Sequence, residues 1–129
     1  MTTPSASDGV VIDSSGWLEY ITADEDADKF APYFEGEMQI LVPVIVLYEV
    51  RKILLLRQSQ VLADVFVSEA LRRQVIAVDE GIALAAATIS IRHSLPMADA
   101  LLYATAQSRN AQFITSDAHF GNLPGVTLI

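Results

Sequence analysis

The chain has 129 residues, enough for one domain of ordinary size and too few for a second folded unit. Apolar residues make up 52% and charged residues 19%, so a core can form that offsets the entropy of ordering the chain, and global disorder is excluded. Eight Lys and Arg against sixteen Asp and Glu leave a formal charge of −8, which repels polyanions from the surface as a whole, and the lack of cysteine excludes disulfides, thiolate metal sites and cysteine nucleophiles together.

Residues 1–8 are polar and lack the basic, apolar, small-residue order of a secretory signal, and they read as a flexible tail before a single domain over residues 9–129. No apolar run approaches the ~20 residues needed to cross a bilayer. The longest, residues 41–48, contains Pro43 and is soon followed by Glu49, Arg51 and Lys52. A cytoplasmic protein with no membrane contact is expected.

In chain order, Val10, Val11 and Ile12 form a short β-branched run that stops at Asp13-Ser14-Ser15-Gly16, a strand followed by helix-cap chemistry. A helix through Trp17 and Tyr20 follows. Residues 22–36, acidic at the start and ending in Gly36, predict a solvated helical hairpin. Residues 39–42 predict a second strand, and Pro43 suits the first turn of the helix that runs on to Arg57. An amphipathic helix is expected over residues 59–73, a third strand over 74–78, and an Ala-rich helix capped by Asp79 to about His93. Another helix begins at Pro96 and reaches Arg109. A fourth strand over residues 113–115 ends in Ser116-Asp117, and a fifth covers residues 126–129. Strands alternating with helices at these spacings predict a three-layer α/β/α domain around a parallel sheet of four to five strands, with its functional crevice beyond the carboxyl ends of the strands.

Most of the acids lie in polar stretches, where solvation explains them. Asp13, Glu49, Asp99 and Asp117 do not. Asp13 and Asp117 sit at strand carboxyl ends, where each also qualifies as a helix N-cap. Glu49 lies near an apolar helical stripe with Lys52 three residues on as a salt-bridge partner, and Asp99 falls in the first turn of a helix, where the dipole alone welcomes it. Taken together, two strand ends and two helix starts in one parallel sheet can face the same crevice. Carboxylates crowded there must take up protons or hold a cation, and an all-oxygen set without cysteine or paired histidine suits Mg²⁺ or Mn²⁺. Their separations of 36, 50 and 18 residues require a fold to assemble them and exclude an EF-hand loop.

Such a centre performs phosphodiester hydrolysis. In that chemistry Asp13 and Asp99 are the principal ligands, Glu49 and Asp117 complete the set or orient the water, and the hydroxyls of Ser14 and Thr115 hold carboxylates or waters in place. Arg51, Lys52 and Arg57 are candidates to steer substrate phosphates, with solvated helix positions as the alternative. His93 and His119 read as surface or helix-end residues, and Trp17 and Tyr103 as packing residues rather than base-stacking platforms. Val44, Leu47, Leu54 and Leu55 exceed what one small core needs and favour self-association.

The order VIDSS, PVIVLYEVRK, LPMADALLYATA and FITSDAHF, from Val10 onward, resembles the PIN-domain nucleases, especially the toxin subunits of VapBC toxin-antitoxin pairs. The resemblance implies a Mg²⁺- or Mn²⁺-dependent endoribonuclease acting on tRNA, rRNA or mRNA. Asp13, Glu49, Asp99 and Asp117 become the family's acidic quartet, and Thr115-x-Asp117 its last motif. It further implies a homodimer and a small antitoxin whose C-terminal segment blocks the active-site groove. Two other readings remain open: a non-catalytic PIN-like module that binds protein or RNA, and Asp13 as a phosphate-accepting nucleophile. The last lacks both a second Asp two residues on and a later strand-end lysine.

Overall fold

The computed structural model describes residues 9–129, so the tail expected over residues 1–8 lies outside the described residues. Strands β1 (Val10–Ile12), β2 (Ile40–Pro43), β3 (Gln74–Ile76), β4 (Gln112–Thr115) and β5 (Val126–Leu128) form one sheet in the order β3-β2-β1-β4-β5. Every pairing is parallel. The central strands are continuous apolar runs because helices cover both faces of the sheet; Val10, Val11 and Ile12 of β1 are fully buried.

The helices are α1 (Ser14–Ile21), α2 (Ala27–Glu35), α3 (Val44–Arg57), α4 (Gln60–Leu71), α5 (Glu80–His93) and α6 (Met97–Ser108). Right-handed crossovers, the rule for parallel strands, place α1–α4 on one face and α5–α6 on the other. The packing agrees: α1 contacts α2 and α3, α3 lies along α4, and α5 lies along α6. Contact between α3 and α6 joins the two helical layers.

Side-chain caps set several helix starts. Ser59 Oγ accepts from Leu62 N at 3.1 Å to open α4, and Asp79 Oδ1 accepts from Ile82 N at 2.8 Å to open α5. Close approach decides the α1–α2 contact: a Cβ on Gly16 would fall 2.6 Å from Ile12 Cγ2 and 2.7 Å from the Phe30 ring. Trp17 and Tyr103 are core residues, as expected, with the Trp17 ring edge-on to Phe34 and Phe66 at 4.7 and 5.4 Å.

Some local expectations differ. Pro43 is the last residue of β2, in register with Ile76, as well as the N-cap of α3, and its ψ of 138° keeps it extended one residue before the first turn. The hairpin after α1 is not simply solvated, since α2 buries Phe30 and Phe34 beneath its acidic face. β3 stops at Ile76, two residues early. Leu54 belongs to the core, while Val44 and Leu55 stay partly exposed.

Candidate active site

The chain moves from β1 to β2 on one side and later returns to β4 on the other, so the β1–β4 seam is where the strand order reverses. In open parallel sheets the crevice for ligands lies beyond the strand ends at that point. Register brings Ile12 opposite Ile114, and the seam continues one step further as Asp13 N donates to Ile114 O at 2.9 Å. Asp13 therefore stands beside Thr115, although 102 residues separate them.

The Asp13 carboxylate is only 6% exposed. Its Oδ1 accepts from Ser14 N at 2.7 Å, and its Oδ2 accepts from Thr115 Oγ1 at 2.7 Å. Thr115 Oγ1 in turn accepts from Asp117 N at 3.0 Å. The single hydroxyl proton is thus committed to Asp13 and an oxygen lone pair to the Asp117 backbone. Burial pushes the Asp13 carboxyl up to about 6; the Thr115 and Ser14 hydrogen bonds oppose the rise, and the charges of Asp99 and Glu49 add to it.

Glu49, on the second turn of α3, finds its partner across the chain rather than along its helix: Ser14 Oγ donates to Glu49 Oε1 at 2.7 Å. Lys52 turns instead to Tyr48, with Nζ 3.4 Å from the phenol oxygen. Asp99 occupies the first turn of α6. Its carboxyl is raised above the ordinary range by burial first and then by the charges of Asp117 and Glu49. Asp117 follows β4 and caps a short 3₁₀ turn over Ala118–Phe120, its Oδ1 accepting from His119 N at 2.9 Å.

Both readings of the strand-end acids therefore hold, since Asp13 and Asp117 are caps and also members of the cluster. The structure brings Asp13, Glu49, Asp99, Asp117, Ser14 and Thr115 into one neighbourhood. The acids are tied pairwise: among the described residues, no three Asp, Glu or His side chains already stand in an arrangement that could hold a metal ion. The donor chemistry nonetheless fits a hard divalent cation, because every donor is an oxygen and the charge of the buried Asp13 is answered only by neutral hydrogen-bond donors.

The basic candidates fare differently. Arg51 Nη1 pairs with Asp64 at 3.0 Å, away from the acids. Arg57 lies eight residues beyond Glu49, about 12 Å further along the helix axis. It lines a cleft with Leu18, Glu19, Thr22 and Asp24 at the far end of α1 from Asp13. A phosphate-binding role at this crevice does not suit that position. His119 is exposed, as expected of a surface residue, yet its Nδ1 stands 3.1 Å from Asp117 Oδ1. The sequence signal for this was partial: an Asp that caps the backbone two residues on brings that residue near its carboxylate, and the identity of the residue as His supplies the ring nitrogen.

A family model described as PIN domain matches residues 10–126. No curated protein is similar enough in sequence to count as a match. Among solved structures, the chain superposes on a toxin-antitoxin complex from Klebsiella pneumoniae with a TM-score of 0.77 at 19% identity, covering 92% of this chain and 95% of that one. A sarcin-ricin loop cleaving toxin, VapC20 of Mycobacterium tuberculosis, gives 0.77 at 18% identity, covering 91% and 96%. The DNA-bound VapBC of Salmonella typhimurium gives 0.74 at 16% identity, covering 94% and 96%.

Proposed function

The chain belongs to the PIN domain family, and from that premise we propose that it is a Mg²⁺- or Mn²⁺-dependent endoribonuclease, the toxin of a type II toxin-antitoxin pair. The observation that carries the reading is the buried carboxylate of Asp13 at the β1–β4 seam, hydrogen-bonded on both oxygens and crowded by Asp99 and Glu49. Crowded charge of this kind is relieved by a cation.

Asp13 and Asp99 would hold the divalent ion, with Glu49 and Asp117 completing its set. Bound there, the ion supplies Lewis-acid activation of the scissile phosphodiester and of a water. Thr115 keeps the Asp13 carboxylate ionised by donating to it and fixes the backbone of Asp117. Ser14 occupies Oε1 of Glu49, leaving Oε2 to orient the attacking water. The proposed substrate is RNA, and the proposed setting is the cytoplasm; no helix among the described residues is long and apolar enough to cross a membrane.

A small antitoxin and a second copy of the chain are the proposed partners. An apolar groove of about 390 Å³ runs along α3, lined by Leu47, Tyr48, Leu55 and Leu56 with Arg51 and Lys52 at its side, and suits an amphipathic segment carrying acidic residues. On the other face, an apolar cleft of about 550 Å³ between α5 and α6, lined by Val78, Ala83, Ala87, Leu101 and the largely exposed Met97, suits self-association.

Cleavage of labelled RNA with Mg²⁺ or Mn²⁺, against a chelator control, tests the nuclease. Asp13→Asn and Asp99→Asn should each lower the rate by about two orders of magnitude or more. Undiminished cleavage in either variant refutes the site. Titration calorimetry separates the enzyme from a non-catalytic PIN-like module, which would show no Mn²⁺ binding dependent on Asp99.

A further inference from the structure

Among the described residues, His119 is the one basic side chain held against an acid of the candidate site. Its Nδ1 stands 3.1 Å from Asp117 Oδ1, the same oxygen that accepts from its backbone N–H at 2.9 Å, so ring and backbone of one residue close on one carboxylate. Arg51 is engaged by Asp64, Lys52 by Tyr48, and Arg57 lies at the other end of α1. At 81% side-chain exposure, most of the imidazole projects from the cleft.

With the nuclease reading as its premise, we infer that His119 contacts the substrate, its ring held by Asp117 while Nε2 faces outward to accept a hydrogen bond from a ribose 2′-hydroxyl. The chemistry follows from the Asp117 contact. A carboxylate only accepts, so the ring nitrogen against it carries the proton, and in the neutral imidazole the lone pair is then on Nε2. Phosphate oxygens offer no proton to that lone pair, whereas a 2′-hydroxyl does, and the 2′-hydroxyl is the group that distinguishes RNA from DNA. The surface carries a net charge of −8 and cannot select RNA by general attraction. One outward acceptor beside the acids gives a local means of selection.

The test compares binding of a fluorescent single-stranded RNA and the DNA of matching sequence at pH 8, with Ca²⁺ in place of the catalytic ion. Wild type, His119→Asn and His119→Ala are measured, with thermal melts to verify folding. Asn retains an amide donor for Asp117 and has no counterpart of Nε2. Wild type should bind RNA about fivefold more tightly than DNA, the worth of one neutral hydrogen bond, and both variants should bind the two equally. A variant that keeps the wild-type preference overturns the contact, as does a wild type with no preference. Parallel cleavage assays with Mn²⁺ keep the outcomes apart: RNA preference lost in His119→Asn but no cleavage by wild type would remove the nuclease and leave the ribose contact standing.

Discussion

Asp13 and Thr115 end paired strands, are 6% and 0% exposed, and share a 2.7 Å hydrogen bond. Asp99 and Asp117 are only partly buried, on the first turn of a helix and at a short 3₁₀ turn, and the charge of Asp117 raises the Asp99 carboxyl. The seam is therefore a rigid anchor whose geometry comes with the sheet, while Asp99 and Asp117 are placed by the first turn of a helix and by a capped turn. Two kinds of backbone thus bring acids to one crevice.

The largest effect that would sharpen this contrast is a pH dependence of stability in metal-free protein. The Asp13 carboxyl is raised from 3.8 to about 6, so the folded chain binds a proton more tightly than the unfolded one. Its stabilising contribution is full below about pH 4 and is lost as pH rises through about 6, on the order of 3 kcal/mol. Urea titrations in chelator should show wild type losing this increment relative to Asp13→Asn between those limits, and Mn²⁺ should restore it at pH 7. A wild type that gains on the variant over the window would contradict the sign.

Next in size is Thr115→Val, which keeps the shape and removes both bonds of the hydroxyl. It should lower cleavage about 10- to 100-fold and destabilise the fold by about 1–3 kcal/mol, with Thr115→Ser retaining most of both. Equal losses in the two variants would show that shape, not the hydroxyl, holds the seam. Gly16→Ala tests the packing behind the anchor, where the added Cβ meets Ile12 and Phe30; it should cost about 1–3 kcal/mol in a denaturant melt. Ser14→Ala frees Glu49 and should slow cleavage by about tenfold with about 1 kcal/mol of destabilisation. Smallest of all, Arg57→Gln should leave RNA cleavage within about twofold, as its distance from the acids requires. A large loss there would extend the substrate path along α3.

Much of the anchor was legible in the sequence. A strand buried on both faces shows as an unbroken β-branched run, and an acid at its end stands out against Val10-Val11-Ile12 and Phe113-Ile114. The helix side was less legible because it depends on rotation and direction. Glu49 could pair with Lys52 by spacing alone, and only the packing of α3 on α1 decides for Ser14. Arg57 shares a helix with Glu49, but that helix carries it away from the crevice. Pro43 has a φ of −58°, which suits both a strand end and the residue that opens a helix, and only the pairing with β3 reveals that it is the last strand residue as well. Phe30 and Phe34 were hidden among acids whose solvation masks the apolar underside of α2.

The bond from Thr115 to Asp13 spans 102 residues and has a consequence for synthesis. A ribosome adding roughly 5–20 residues per second exposes the first strand many seconds before the fourth exists. Throughout that interval the crevice lacks one wall, so the nuclease centre proposed above cannot assemble on a nascent chain. On that reading an immature product is inert through topology alone.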